Sequence, residues 1–479
     1  MIKIKIREHE MSGQFGGSSK AAATGGKDKS GRPRRLPLMH SFARIKPASA
    51  DKTGGRPAAQ TISGWDPAAG QVTFTGSDIR VFDHFEQVVS PDSSQSMAYD
   101  TVCAPLVAQW LEGFDIDIIC YGQTGSGKTY TQFGPPKSMQ AVAQKLSKSP
   151  GGGSGTHSGD GIVQPEHGFI LRTGFAGLAH INSVSARTGE KAVLHGSMVE
   201  MSIMSAKTQN AGDLLAGKKP CFVDKHHHLE GAIHLPLTDA KSLVTLAAAV
   251  ENRLTRGTKM NNSSSRSHCV TVFTLHHRDG DGNVRVSRFQ FFDFMGSERF
   301  SGANSAHGQS SGSARSTQAG WEGIYANYSL LFLGEAVRAA SNARRLKKGT
   351  IQKMGGQGFL NELLAGSLVG NAVTAMITCL SPSERNGAES YLSCKYSRDM
   401  AHMQNDPRQQ PAVPFDELVA RVKKEREISA KIAKKGVAGK YQAKREAEVV
   451  GCETRLRILQ DELGSGDVGF CDEGRGQKK

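Results

Sequence analysis

The segment Gly122-Gln123-Thr124-Gly125-Ser126-Gly127-Lys128-Thr129 satisfies the pattern G-x-x-x-x-G-K-[ST]. A loop of this kind closes backbone N–H groups around phosphate oxygens, brings its lysine to the β/γ phosphates and offers its terminal hydroxyl to Mg²⁺. The chain has 55 glycines, so the pattern needs support from its neighbours. Upstream, Ile116-Asp117-Ile118-Ile119-Cys120-Tyr121 reads as a short buried strand aimed into the loop. Downstream, Tyr130-Thr131-Gln132-Phe133 allows about one helical turn before Gly134-Pro135-Pro136 stops it. Strand, glycine loop and helix start in this order predict a nucleotide site. A flexible glycine turn would leave the Lys-Thr pair unexplained.

At 479 residues the chain has room for a large core and for two or three domains. No apolar run approaches the ~18 residues of a membrane span. The start, Met1-Ile2-Lys3-Ile4-Lys5-Ile6-Arg7, alternates charge with isoleucine, unlike a signal peptide. The eight cysteines stand without C-x-x-C spacing, which argues against a zinc site or disulfide framework and predicts a reducing, cytosolic setting. A net charge of +15 implies an acidic partner. On charge alone, nucleic acid, an anionic membrane and an acidic protein polymer all fit.

Residues 1–37, rich in Gly, Ser, Ala and Lys, read as a disordered basic arm. A strand is expected at 38–47, then a Gly/Ala-rich stretch to Gly76 and a helix over 96–114. After the phosphate loop, 137–160 reads as a surface insertion. A helix over 169–182, a strand over 192–204 and a helix over 239–257 follow. Strands at 268–277 and 284–294 flank the turn-rich Arg278-Asp279-Gly280-Asp281-Gly282-Asn283 and predict a hairpin. Residues 300–320 form a second glycine-rich loop. Helices at 321–343, 358–369 and 388–403 and a strand at 372–380 complete the domain. Pro407, Pro411 and Pro414 mark its boundary with a charged tail. The tail's apolar residues do not sustain a heptad, so a solvated helix pair is expected ahead of a dimerising coiled coil. His226-His227-His228 reads as a solvated loop, because consecutive side chains do not converge on one ion.

Two further stretches complete the chemistry of a nucleotide hydrolase. Asn261-Asn262-Ser263-Ser264-Ser265-Arg266-Ser267-His268 is a hydroxyl-dense loop entering a strand. Asp293-Phe294-Met295-Gly296-Ser297-Glu298 leaves the end of another. Such an enzyme needs a group to hold Mg²⁺ through water, a γ-phosphate sensor and a means of positioning the attacking water. Asp293 suits the first task, and the Gly296 N–H suits the second because glycine permits close approach.

Together these three stretches resemble the signatures of the kinesin motor domain, Y-G-Q-T-x-S-G-K-T, N-x-x-S-S-R-S-H and D-L-A-G-S-E, with Phe294-Met295 in place of Leu-Ala. Arg44-Ile45-Lys46-Pro47 resembles the family's R-x-R-P beside the adenine. Glu322-Gly323, Asn327 and Ser329-Leu330 resemble E-G-x-x-I-N-x-S-L, and Ser367 through Asn371 resembles S-L-G-G-N. The resemblance covers about 38–405. It implies an α/β phosphate-loop NTPase of the kinesin motor type, with a mixed central β-sheet flanked by helices on both faces. It implies ATP and Mg²⁺ as cofactors and the microtubule as partner, with no nucleic acid partner. A cytoplasmic, cytoskeletal location follows.

The resemblance also assigns roles. Lys128 would contact the phosphates, while Thr129, Ser265 and Asp293 would serve the metal. Ser264 and Ser265 would close over the γ-phosphate, with Asn261 opening that loop. Arg266 and Glu298 would form a nucleotide-dependent salt bridge that orders the attacking water. Tyr130 would lie beside the base with Arg44 and Pro47. Arg344, Arg345, Lys347 and Lys348 fall in a loop that faces tubulin in the family. Next to it, the family's Y-R-x-S-K-L-T is degraded to Gly355 through Asn361, and the neck-linker pattern is reduced to Asn405-Asp406-Pro407-Arg408. The expected organisation is an arm over 1–37, a motor domain over 38–405 and a neck-like segment with a helical tail over 406–479. The alternative is a microtubule-binding scaffold that holds nucleotide without stepping. An unrelated GTPase ranks far behind, since its N-K-x-D does not occur.

Overall fold

The computed structural model describes residues 39–48, 61–76, 78–135, 138, 142, 163–188, 190–205, 208–253, 267–297, 330, 333–335, 337–338, 359–369, 371–436 and 440–464. All of them belong to one compact unit. The strands, in chain order, are β1 (His40–Ile45), β2 (Ile62–Asp66), β3 (Gln71–Phe74), β4 (Arg80–Phe82), β5 (Gln87–Val89), β6 (Ile116–Tyr121), β7 (Lys191–Ser205) and β8 (Thr208–Asp213). They continue with β9 (Lys219–Val223), β10 (Leu229–Glu230), β11 (Leu235–Pro236), β12 (His268–Arg278), β13 (Asn283–Asp293), β14 (Val373–Leu380) and β15 (Val413–Pro414).

At the centre is β6, buried from Ile116 through Cys120, as a strand covered on both faces must be. It lies parallel to β13 on one side and to β14 on the other. Beyond β14 come β1 and β5, also parallel. Beyond β13 the sheet turns antiparallel through β12, β7, β8, β9 and β10. The sheet is therefore mixed, as the sequence implies. Asp279 closes the β12–β13 hairpin, its Oδ1 accepting from the Asn283 N–H at 2.8 Å, while Gly282 takes a φ of +80°. Strands β2, β3 and β4 form a separate small sheet, the first two inside the Gly/Ala-rich stretch to Gly76 and the third just beyond it. Its pairing is a local antiparallel meander, Ile62–Asp66 on Gln71–Phe74 and Gln71–Phe74 on Arg80–Phe82, but Gly64 and Gly70 mask its strand pattern.

Side chains of the central sheet alternate between two cores. Ile116, Ile118 and Cys120 face a cluster with Trp110, Phe169 and Leu243. That face is covered by α1 (Ala104–Leu111), α3 (Phe169–Thr188) and α4 (Ala240–Ala248), with α2 (Lys128–Phe133) at its edge. Ile119, Phe292 and Met376 face the opposite cluster with Leu364 and Leu368 of α5 (Phe359–Val369) and Met400 of α6 (Gly387–Ala401). Helix α4 begins in a capping box between Asp239 and Ser242 and passes into a 3₁₀ turn over Ala249–Asn252, shorter than the helix expected over 239–257.

The tail departs most from expectation. Helices α7 (Phe415–Lys434) and α8 (Lys440–Arg457), with a π turn over Ile458–Glu462, pack on each other and on the sheet. Val419, Val422, Cys452 and Leu459 bury against Val284 of β13, so the pair is docked rather than solvated. Helix α8 crosses β10 so closely that a Cβ at Gly451 would meet the Glu230 carboxylate at 1.7 Å. Arg455 pairs with that carboxylate, and Lys444 reaches Glu362 of α5 at 3.4 Å. The three histidines diverge: His227 bonds the Glu362 carbonyl, His228 lies 3.7 Å from Asp224, and His226 turns towards Glu425.

Candidate nucleotide site

Strand β6 delivers the chain into Gly122–Gly127, and α2 begins at Lys128. Gly122 takes a φ of +146°, and a Cβ there would lie 2.4 Å from the Cys379 carbonyl oxygen. Gly125 and Gly127 are left-handed at +75° and +108°. Only glycine holds this path without strain, and the path is what turns successive N–H groups towards an anion. Gln123 and Ser126 are buried while Thr124 and Gly125 are exposed. Lys128 is buried, and its Nζ donates to the Gly122 and Gln123 carbonyls at 2.7 and 2.8 Å. Gln132 donates to the Phe292 carbonyl at 2.9 Å, which ties α2 to β13.

The loop after β13 closes on the same point. Ser297 N–H donates to the Gly122 carbonyl at 3.1 Å, and Gly296 is buried beside it. Phe294 and Met295, the residues that depart from the family pattern, are buried in the core around α5. Thr129 Oγ1 donates to Asp293 Oδ2 at 2.7 Å. Asp293 is 1 % exposed, and its Oδ1 has no hydrogen-bond partner among the described residues. A threonine hydroxyl beside an orphaned carboxylate oxygen is the hard oxygen set that suits Mg²⁺.

Arg253, which the motifs did not single out, also reaches this carboxylate. Its Nη1 lies 2.6 Å from Asp293 Oδ2 and its Nη2 donates to the Ser267 carbonyl at 2.7 Å. Burial opposes the guanidinium charge, but Asp293, Cys269 and Glu200 together outweigh it and raise the pKa. The signal available in sequence was an arginine closing an apolar-faced helix just before the hydroxyl loop, where a buried cation needs a carboxylate. His268 packs against the same group. Burial, then Arg253 and Lys128, push its pKa down to about 3. Its Nδ1 accepts from the Met295 N–H at 3.2 Å, so the neutral ring carries its proton on Nε2.

On the far side of the loop, Arg44 Nη1 donates to Gln95 at 2.6 Å and to Thr131 at 3.0 Å. Its guanidinium stands 5.5 Å from the centre of the Tyr130 ring, which is 42 % exposed. Lys46 Nζ donates to the Gly125 carbonyl at 3.0 Å, and Pro47 is exposed next to it. A half-exposed aromatic ring beside the phosphate loop offers a stacking face to a base. Asn261, Ser264, Ser265, Arg266 and Glu298 lie outside the described residues, as do Arg344, Arg345, Lys347, Lys348, the arm and the 300–320 loop.

The family model for the kinesin motor domain matches residues 75–403. Kinesin-like protein KIN-4B of Arabidopsis thaliana is 28 % identical over 350 residues, which span 68 % of this chain and 30 % of that protein. Kinesin-like protein KIF27 of Homo sapiens is 30 % identical over 361 residues, spanning 70 % of this chain and 22 % of that protein. The chain thus matches under a third of the length of these relatives. Among solved structures, a fast kinesin aligns with a TM-score of 0.60 at 22 % identity, over 78 % of this chain and 94 % of that one. A KIF14 dimer in complex with a microtubule aligns with a TM-score of 0.59 at 23 % identity, over 78 % and 97 %. The phosphate loop, the β13 carboxylate and the sheet that brings them together lie within the matched span, and the chain belongs to the kinesin motor domain family.

Proposed function

We propose that the chain is an ATP-hydrolysing microtubule motor, switched by nucleotide through the phosphate loop, the 261–268 loop and the 293–298 loop. The observation that carries this reading is the 2.7 Å bond between Thr129 and Asp293, which couples the phosphate loop to the strand end that begins the second switch. The phosphate-loop N–H groups and Lys128 bind the β and γ phosphates, and Arg44, Pro47 and Tyr130 flank the base. Thr129 and Ser265 would hold Mg²⁺, with Asp293 supporting it from the strand end. When bound, that ion neutralises charge on the phosphate oxygens. Arg266 and Glu298 pair on closure and order the attacking water, while the Gly296 N–H senses the γ-phosphate. Residues 1–37 serve as a basic arm, 38–405 as the motor and 406–479 as neck and tail, at the cytoplasmic microtubule array.

ATP turnover measured with and without microtubules tests the reading: stimulation supports a motor. Nucleotide binding and filament binding without stimulated turnover would favour a non-stepping scaffold. That second reading is motivated by the degraded 355–361 motif and by Lys444 of the tail, which pairs with Glu362 on the helix that follows it. Tail-mediated dimerisation is a weaker proposal, because Val419, Val422 and Leu459 are spent on contacts with the sheet.

A further inference from the structure

Between the tail hairpin and the sheet lies a cavity of about 400 Å³, well away from the phosphate loop. Its floor is the first half of β13 and the paired part of β12, where Val284, Val286 and Arg288 share a face with Thr274 and His276. Its roof is Leu418, Arg421 and Val422 of α7 with Arg455, Ile458 and Leu459 beyond. The volume lies in the range of small-molecule sites, and the wall divides into an apolar half and a half rich in donors.

Arg421 and Arg455 are paired with Glu417 and Glu230, but three other donors in or beside the wall, Arg288, His234 and His276, are not fully satisfied. The Arg288 side chain is 20 % exposed, and its nearest carboxylate, Asp115, stands 4.0 Å away. Its guanidinium makes no hydrogen bond among the described residues. His276 is 5 % exposed, and neither it nor the adjacent, partly buried His234 finds a partner for Nδ1. The carboxylates that line the cavity are engaged elsewhere. Glu230 pairs with Arg455, and Glu425 lies 3.7 Å from Arg455 and 3.9 Å from Lys225. Asp224 accepts from the N–H groups of His226 and His228, each at 2.8 Å. Burial, then His195, and after it Arg288 and Arg455 push the His234 pKa down to about 3, and burial with His195, His234 and Arg288 pushes the His276 pKa well below its ordinary range, so both rings are neutral and each has one nitrogen to donate. Buried donors of this kind are satisfied in native proteins, by water or by a ligand.

We propose that this seam is a second ligand site, which takes a small organic anion with an apolar body. Its acidic group, a carboxylate, sulfonate or phosphate, accepts from Arg288 and the two imidazoles, as guanidinium forks recognise oxyanions. Its apolar body lies along Val284, Val286, Val422 and Leu459. Because the roof belongs to the tail, occupancy holds the hairpin on the sheet.

The probe is 8-anilinonaphthalene-1-sulfonate, titrated by fluorescence into the full chain, with N-phenyl-1-naphthylamine as its uncharged counterpart. The expected result is one saturable site per chain for the sulfonate, unaffected by Mg-ATP, and binding of the neutral compound at least tenfold weaker. Arg288→Gln should weaken the sulfonate at least tenfold and leave the neutral compound unchanged. Arg421→Gln, which alters a half-exposed residue, should weaken it about threefold. Val422→Trp, which fills the cavity without changing charge, should abolish binding of both compounds. If Arg288→Gln does not fold, the Arg421→Gln and Val422→Trp pair carries the test. Equal affinity for the two compounds would reduce the site to an apolar crevice and overturn the proposal. So would displacement by Mg-ATP, binding that survives Val422→Trp, or no saturable binding at all.

Discussion

Strand β13 ends in Asp293 beneath the phosphate loop and begins at Asn283 and Val284 beneath the tail hairpin, and its two ends bury charge in different ways. At the phosphate end, one carboxylate is shared by the Thr129 hydroxyl and the Arg253 guanidinium within 2.7 Å, and the groups sit at the start of α2, at the end of β13 and just after the 3₁₀ turn that follows α4. At the tail end, Arg288 faces a cavity with its nearest carboxylate at 4.0 Å, and the surrounding groups are fixed by sheet register. A site that works by switching keeps its charges in short, exchangeable contacts. A site that only receives a ligand can leave its donors waiting, at a cost in stability that docking of the hairpin offsets.

The largest effect that would test this contrast is at Lys128. Lys128→Ala should lower ATP turnover by about 10²–10³-fold, the scale of losing one preorganised charge beside the reacting phosphate. Sulfonate binding at the seam should be unchanged. A steady-state ATPase assay run beside the fluorescence titration checks both, and parallel loss of the two would mean that the phosphate loop and the seam act as one site. Next come Arg266→Ala and Glu298→Ala. Each should lower turnover by about 10–100-fold while changing ATP affinity far less, if the pair forms on closure as proposed. Loss of affinity at constant turnover would refute the switch assignment.

The phosphate end was legible in sequence because its chemistry is local. Gly122–Thr129 and Asp293–Ser297 each lie in one short run, and the physics of a glycine loop demands those residues in that order. Arg253 escaped notice because its partner is 40 residues away and only the β12–β13 pairing brings the two together. The seam was less legible still. Arg288, His234 and Arg455 have no shared spacing, and the tail's apolar residues read as a weak helix face until Val284 and Val286 supply the surface they bury against. The small β2–β3–β4 sheet was missed for a different reason: its pairing is local, but its strands are short and Gly64 interrupts the alternation.

A smaller effect is expected at the basic loop. Neutralising Arg344, Arg345, Lys347 and Lys348 removes four charges, each worth about 0.2–1 kcal/mol against an acidic surface in a salt-screened field. The microtubule concentration for half-maximal ATPase stimulation should rise about fourfold, the lower end of that range summed over four charges, and its salt dependence should flatten, with basal turnover unchanged. Co-sedimentation across a salt series checks this, and identical curves for the two proteins would assign the loop no part in binding. The tail seam should be indifferent to the change, which separates filament contact from hairpin docking.

The smallest effect on turnover, and the one that most directly compares the two ends, comes from acid. His234 and His276 stay neutral beneath the hairpin because burial, then the charges of His195, Arg288 and Arg455, depress their pKa values. In an undocked or unfolded chain each takes up a proton below about pH 6.5. The folded seam therefore binds fewer protons than the open one. Its stability is complete above about pH 6.5 and falls as pH drops, by up to about 1.4 kcal/mol per pH unit for each ring. Glu230 works the other way. Burial raises its carboxyl to about 7 against the pull of Arg455, so between about pH 4.3 and 7 the folded state gains a proton and the seam gains stability on acidification. His228, which also lines the cavity and is held down to about 4 by burial and Arg288, adds to the loss, so three imidazoles against one raised carboxyl leave a net loss, whereas the phosphate end has the buried ring of His268. Hydrogen exchange at pH 7 and pH 5, corrected for intrinsic rates, should show protection lost in α7 and α8 before β6 and α2. Turnover at pH 7 should change less than twofold in Glu230→Gln, yet that variant should release the hairpin at a higher pH than the native chain. Earlier opening of the phosphate end, or equal protection of the hairpin at both pH values, would show that charge at the seam is not what holds the tail.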